Sequence, residues 1–293
     1  LYLEVVDSQV SLRTLNQAQS AFVVFTLHEG FFSEFIIESN VSASVKLHLK
    51  NVVSIFRSVQ NVDKLWIQLA CSGDESQNHM RVLHECSNGL RKKFDLAFEE
   101  VTSMNAVYSK DVCPHRICVD PSTLLSCLTN FPQGLAEATL VCTSEAVTLK
   151  NDPDAIGLDD MKDGCLRTEM RLLAADLHDY TLGPEKPNGV HITFSLREFK
   201  AILQLVKDLE HRCVLFIEDV GQPLILSSEP REDLPPTFVM ECVLATLVEA
   251  ADLNDDLDGL FDDEYGGPNG KERSHYDEYA PEQPMCAAQP AAP

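Results

Sequence analysis

With 46 acidic against 23 basic side chains in 293 residues, a formal net charge of −23, this chain is not coated in basic surface, and any contact with nucleic acid is confined to a small part of it. Its length can hold about two domains, each with its own core, and its 44% hydrophobic content supports folded globular structure. No apolar run nears the roughly 20 residues of a membrane-crossing helix, the N-terminus lacks the order of a signal peptide, and the ten cysteines stand mostly singly, as small hydrophobes of a reducing compartment.

In chain order, the first hundred residues read mostly as strands. These are Leu1 to Val6, Val10 to Leu15, Ala21 to Leu27, Val45 to Leu49, Leu65 to Ala70, Met80 to His84 and Leu90 to Phe98. One helix interrupts them near Asn51 to Val59, and Ser87-Asn88-Gly89 has the composition of a hairpin turn. Leu1 opens a strand with nothing ahead of it, as expected of a domain whose front lies outside this sequence. A mixed stretch over 101–114 reads as a connector. Beyond it a helix is expected from Pro121, with Asp120 as its N-cap. Strands follow at Glu137 to Val141, Ala146 to Lys150, Leu166 to Ala174 and Val190 to Phe194. A long helix over Leu196 to His211 then leads to strands at Cys213 to Glu218, Leu224 to Ser228 and Thr237 to Leu247. The expected organisation is a domain at 1–100, a connector at 101–114, a domain at 115–250 and a tail at 251–293. That tail holds 11 acidic and 2 basic side chains among Gly, Pro and Ala, the composition of a disordered segment.

The two folded stretches repeat each other. Strand, amphipathic helix and strand follow in turn from Val45 to Leu69 and again from Val190 to Ile217, and Asp7 to Leu12 is echoed by Thr143 to Leu149. In the second copy Leu196, Phe199, Ile202, Leu203, Val206 and Leu209 share one helical face. Beside it Arg197, Lys200, Gln204, Lys207 and His211 make a basic flank, with Glu198 and Asp208 expected to lie away from it. In the first copy Val52, Val53, Ile55, Phe56 and Val59 are expected to face inward, while Lys50, Ser54, Arg57, Ser58 and Asn61 face the other way. Ordinary solvated faces read the same way, but cations sorted onto matching helices of an acidic chain suit the tracking of a phosphate backbone.

Other chemistry finds little support. Cys113-Pro114-His115-Arg116-Ile117-Cys118 lacks a second ligand pair at zinc-finger spacing. The residues from Asn254 to Tyr265 approach a calcium loop but offer Tyr265 in place of its bidentate Glu. Leu257, Leu260 and Phe261 there suit a peptide that docks on a partner. Asp159, Asp160 and Asp163 sit in a loop, where nothing rigid holds the metal pair a nuclease needs. No cofactor is expected.

Thr193-Phe194-Ser195-Leu196-Arg197, with the helix and strand that follow and the turn into Pro223-Leu224, resembles the second domain of eukaryotic sliding clamps. Leu1-Tyr2-Leu3-Glu4, Ser11-Leu12-Arg13-Thr14, Ser54-Ile55-Phe56-Arg57-Ser58, Cys113-Pro114-His115 and Val243-Leu244-Ala245-Thr246-Leu247 resemble, in order and spacing, the Rad-nine subunits of the DNA-damage checkpoint clamp. The resemblance runs from Leu1 to about Val248. It implies an α+β clamp fold of two topologically similar domains of antiparallel sheet, whose helices line a central hole. It also implies the Rad-one and Hus-one subunits as ring partners, a clamp loader, duplex DNA at damage junctions, checkpoint and repair proteins docked outside, and a nuclear location. Lys50, Arg57, Arg197, Lys200 and Lys207 would then lie near DNA, and the strands over Leu90 to Phe98 and Leu166 to Ala174 would pair with neighbouring subunits. The family's first strand and helix have no counterpart ahead of Leu1. The tail, with Ser274 and no Thr, offers little for phosphorylation-dependent recruitment. A 3′ to 5′ exonuclease and a homotrimeric replication clamp are the rival readings.

Overall fold

Apolar residues at alternate positions build a meander of β1 (Tyr2–Val6), β2 (Gln9–Leu15) and β3 (Ala21–His28), paired antiparallel. The computed structural model describes residues 1–6, 8–37, 42–57, 59–70, 78–102, 105–151, 167–183, 189–231 and 235–247. β4 (Ala43–Lys46) adds to the free edge of β1, and helix α1 (Leu49–Phe56) follows it. β5 (Val62–Ala70), β6 (His79–Cys86) and β7 (Arg91–Ala97) form a separate three-stranded sheet. Its second hairpin turns at Gly89, whose φ of +81° a side chain would resist. β8 (Glu99–Glu100) leaves that sheet and pairs with β4.

The second half runs β9 (His115–Val119), α2 (Pro121–Leu128), β10 (Glu137–Cys142), β11 (Ala146–Lys150), β12 (Glu169–Leu173) and β13 (Asp179–Thr181). It continues as β14 (Val190–Ser195), α3 (Leu196–Asp208), β15 (Arg212–Ile217), β16 (Leu224–Glu229), β17 (Phe238–Leu244) and β18 (Thr246–Leu247). Strand order repeats the first half. β3-β2-β1-β4-β8 answers β12-β11-β10-β14-β18, and β5-β6-β7 answers β15-β16-β17. β17 also pairs with β3, from Phe238 opposite Leu27 to Leu244 opposite Ala21, and so joins the halves into one ten-stranded sheet. Beyond β15 lie β9 and β13; beside β5 no described strand takes those places.

Two cores result. The larger packs Leu140, Ile192 and Phe194 of one sheet against Ile117, Leu215 and Leu226 of the other, with Leu124, Phe199 and Leu203 of the helices between them. The smaller gathers Leu3, Val45, Ile55, Met80, Val82 and Phe98.

Several expectations need correction. The strand over Val45 to Leu49 ends at Lys46, because His48 is already the N-cap of α1, and the helix stops at Phe56 instead of Val59. Past that stop, Asn61 takes a positive φ of 64° and the chain turns into β5. The run from Thr237 to Leu247 divides at Ala245 because its parts serve different sheets, as do Leu90 to Phe98 and the β8 that follows. β13, three residues long, carries too short a pattern to be seen in sequence. The possible ligands at 113–118 do not converge: His115 is buried and its Nδ1 accepts from the Gly183 N–H at 3.1 Å, whereas Cys118 takes the other face of β9. No cluster of three or more metal-ligating side chains occurs among the described residues.

Candidate nucleic-acid interface

Helix α3 forms because five apolar residues, Leu196, Phe199, Ile202, Leu203 and Val206, recur on one face and are all buried. The opposite face carries the predicted cations. Arg197 and Lys207 are exposed and Lys200 is half-buried. Lys207 sits in the last turn, where the helix dipole favours positive charge.

Glu198 does not lie away from this flank as its sequence position suggests. Arg197 Nη2 donates to its carboxylate at 2.6 Å, Ser195 Oγ also donates to it, and Asn16 Nδ2 of the first half reaches it at 3.3 Å. The hydrogen bonds from Ser195, first, and from Arg197 hold the Glu198 carboxyl down to about 2. Arg197 therefore presents a charge already half-answered by its neighbour. Among the described residues, Lys50, Arg57, Lys200 and Lys207 form no ion pair. His211 leaves the flank altogether. A positive φ of 58° at Glu210 turns the chain after the helix, and the half-buried His211 ring stacks on Phe238 at 4.7 Å, its pKa shifted below the usual value first by that partial burial.

Helix α1 holds the equivalent place after β4. With Leu49 and Leu196 aligned as first residues, Lys50 stands opposite Arg197, Arg57 opposite Gln204, and Val53 opposite Lys200. That register explains the inward-facing prediction that fails: Val53 is 44% exposed because its position belongs to the solvent face, while Ile55 is buried and Val52 and Phe56 are partly so. Val59 is exposed as well, since the helix has ended before it. Lys50, Ser54 and Arg57 face solvent as expected. Ser58 and the tail residues Leu257, Leu260 and Phe261 lie outside the described residues.

α2 packs against α3 and carries no charge. Asp120 caps it, its Oδ1 accepting from the Ser122 N–H at 2.8 Å and its Oδ2 from Arg231 at 2.8 Å. Between the halves, connector residues Tyr108 and Lys110 both donate to the Glu241 carboxylate on β17, Tyr108 at 2.6 Å. Sequence gave no hint of this clasp, which joins groups 131 residues or more apart.

The chain matches the family described as Rad9 over residues 1–247. The chain belongs to the Rad9 family. It is 21% identical over 240 residues to the cell cycle checkpoint control protein Rad9 of Drosophila melanogaster, covering 82% of this chain and 50% of that protein. It is 21% identical to the DNA repair protein rad9 of Schizosaccharomyces pombe over 280 residues, covering 83% and 64%. The chain thus spans about half to under two thirds of the curated relatives it matches. Among solved structures, PCNA of Thermococcus kodakaraensis superposes with a TM-score of 0.63 at 14% identity, over 84% of this chain and 89% of that one. This Rad9-family chain therefore has the clamp fold, an α+β architecture in which sheet predominates.

Proposed function

We propose that this chain is a noncatalytic subunit of a ring-shaped DNA clamp acting in DNA-damage checkpoint signalling and repair in the nucleus. Residues 1–100 and 115–250 are its two clamp domains and 101–114 their connector. The β17–β3 joint is the observation that carries the reading. The internal repeat gives β7 the position of β17 and β12 the position of β3, and each has one edge without a described partner. A neighbour offering the complementary edge prolongs the same joint head to tail, and such heterologous contacts close into a ring. β7 begins Arg91-Lys92-Lys93, whereas β12 balances Glu169 against Arg171. A second copy brings no acidic edge to β7, which favours partners of different sequence, the Rad-one and Hus-one class, over a homotrimer.

A closed ring is retained by topology, so the modest charge of Lys50, Arg57, Arg197, Lys200 and Lys207 suffices against phosphates and reads no sequence. A clamp loader opens the ring at damage junctions, and checkpoint and repair proteins dock on its outside. The test is co-purification with both partner subunits, loading onto a nicked circle, and linearisation of that circle. Retention on the circle and escape from the cut molecule are expected, with weaker, less salt-sensitive retention in a Lys200→Glu, Lys207→Glu double variant. Equal escape from both DNAs, trimers formed by this chain alone, or metal-dependent degradation of the DNA would overturn the reading.

A further inference from the structure

On the sheet face turned away from α2 and α3, a cavity of about 750 Å³ opens between the connector and the β16–β17 loop. Cys213, Leu215 and Ile217 of β15 point into the core, so Arg212, Val214 and Phe216 point outward, beside Arg116 and Cys118 of β9. Val214, Phe216 and Val239 supply an apolar floor, and Pro230, Pro235 and Pro236 of the loop flank it. Lys110 and Arg116 lie over the Phe216 ring at 5.7 and 6.0 Å.

The charges here are unequal in one respect. Lys110 is paired with Glu241, and Arg116 with Asp179 and Glu229. Arg212 forms no ion pair with any described residue, and its Nε is buried without a hydrogen-bond partner. Its cross-strand neighbour Glu229 is already engaged, by Arg116 Nη2 at 3.1 Å and Cys118 Sγ at 3.7 Å. Arg212 is half-buried, and a buried guanidinium N–H without an acceptor is unfavourable until an anion supplies one. In a chain with a net charge of −23, a cation inside a cavity with no ion pair among the described residues is a specific feature, not a sample of the surface.

We propose that this cavity binds a phosphorylated peptide segment of a partner protein, with Arg212 taking the phosphate. A phosphate matches the guanidinium fork with two parallel hydrogen bonds and carries more charge than a carboxylate. The Phe216 floor and the proline flank suit an extended chain on either side of it. A nucleic-acid strand does not suit the site, because its successive phosphates would meet Asp179, Glu229 and Glu241. The proposal stands apart from the clamp reading: it needs neither the ring nor the opposite, helical face.

The test is fluorescence anisotropy of the purified chain with a labelled peptide bearing one phosphoserine next to proline, alongside its unphosphorylated form. Saturable binding of the phosphopeptide alone, competed by inorganic phosphate, is expected. Arg212→Gln should weaken it tenfold or more, and Arg212→Lys, which keeps the charge but loses the fork, by less. Lys200→Gln on α3 should leave it unchanged, and matched thermal melting shows that each variant is folded. Absence of saturable binding, equal affinity for the unphosphorylated peptide, or wild-type affinity in a folded Arg212→Gln protein would overturn the proposal. Adsorption to anionic lipid vesicles with no preference for the phosphopeptide would do the same.

Discussion

The two halves share a strand order and differ in how completely they are filled. In the second, α2 and α3 pack on each other and on two five-stranded layers, and Phe199, Leu203 and Val206 are sealed from solvent. In the first, α1 has no described helix beside it and the outer edge of β5 no described strand, and Leu49, Val53, Leu65, Trp66 and Ile67 are each 44–49% exposed. One topology thus supports two different degrees of burial. The half with the paired helices carries most of the buried apolar surface, and the other leans on the β17–β3 joint.

The sharpest way to break this comparison is to cut matched apolar residues from the two helices. Phe199→Ala removes a ring that packs 4.6 Å from Phe194 and should cost about 3–5 kcal/mol in urea unfolding. Val53→Ala should cost less than about 0.5 kcal/mol, because its side chain is already half in water. Similar losses at both positions would remove the distinction. Next in size is the clasp on Glu241. Glu241→Gln takes the charge from the group that holds Tyr108 and Lys110, and should cost about 1.5–3 kcal/mol. Hydrogen exchange should locate the loosening in the connector amides.

Capping gives a smaller contrast. Asp120→Ala should destabilise by about 1 kcal/mol, whereas α1 begins at His48 with no side-chain cap, so His48→Asp should stabilise by a few tenths to about 1 kcal/mol. Thermal melting of both variants reads the two signs.

Acid should separate the halves by pH. His84 is fully buried between Phe56 and Phe94 with neither ring nitrogen partnered; burial first, and then Lys92, push its pKa below the usual 6.5. The unfolded chain takes that proton more readily, so stability falls as pH drops below about 6.5 toward the depressed folded value. Glu198 in the second half has the opposite ionic preference. Its carboxylate is favoured in the fold, so its contribution is present above about 4.5 and fades as pH falls toward about 2. Denaturation midpoints measured from neutral pH down to about 2 should fall less in His84→Leu than in the wild type, while Glu198→Gln should lie below the wild type above about 4.5 and converge on it as pH falls further.

Much of this was readable from local pattern. The α3 face, the Asp120 cap with Pro121 behind it and the Gly89 hairpin all depend on neighbours within a turn or a strand, and they stand where local pattern put them. Failures came where distant groups decide. Val53 looks like a core residue until the solvent side of α1 is known. His211 reads as the last member of the basic flank until Glu210 turns the chain and Phe238 covers the ring. Glu198 reads as a bystander until Ser195 and Asn16 hold it beside Arg197. The single run from Thr237 to Leu247 says nothing of serving two sheets.

By itself the amino-acid order determined the elements, the duplication and the cations of the two helices, because hydrophobic period and capping act over a few residues. Tertiary structure alone decided the joining of the halves through β17 and β3, the clasp on Glu241 and the isolation of Arg212 within its cavity. Those depend on which strands become neighbours across the sheet, and strand pairing brings together groups that no local pattern relates.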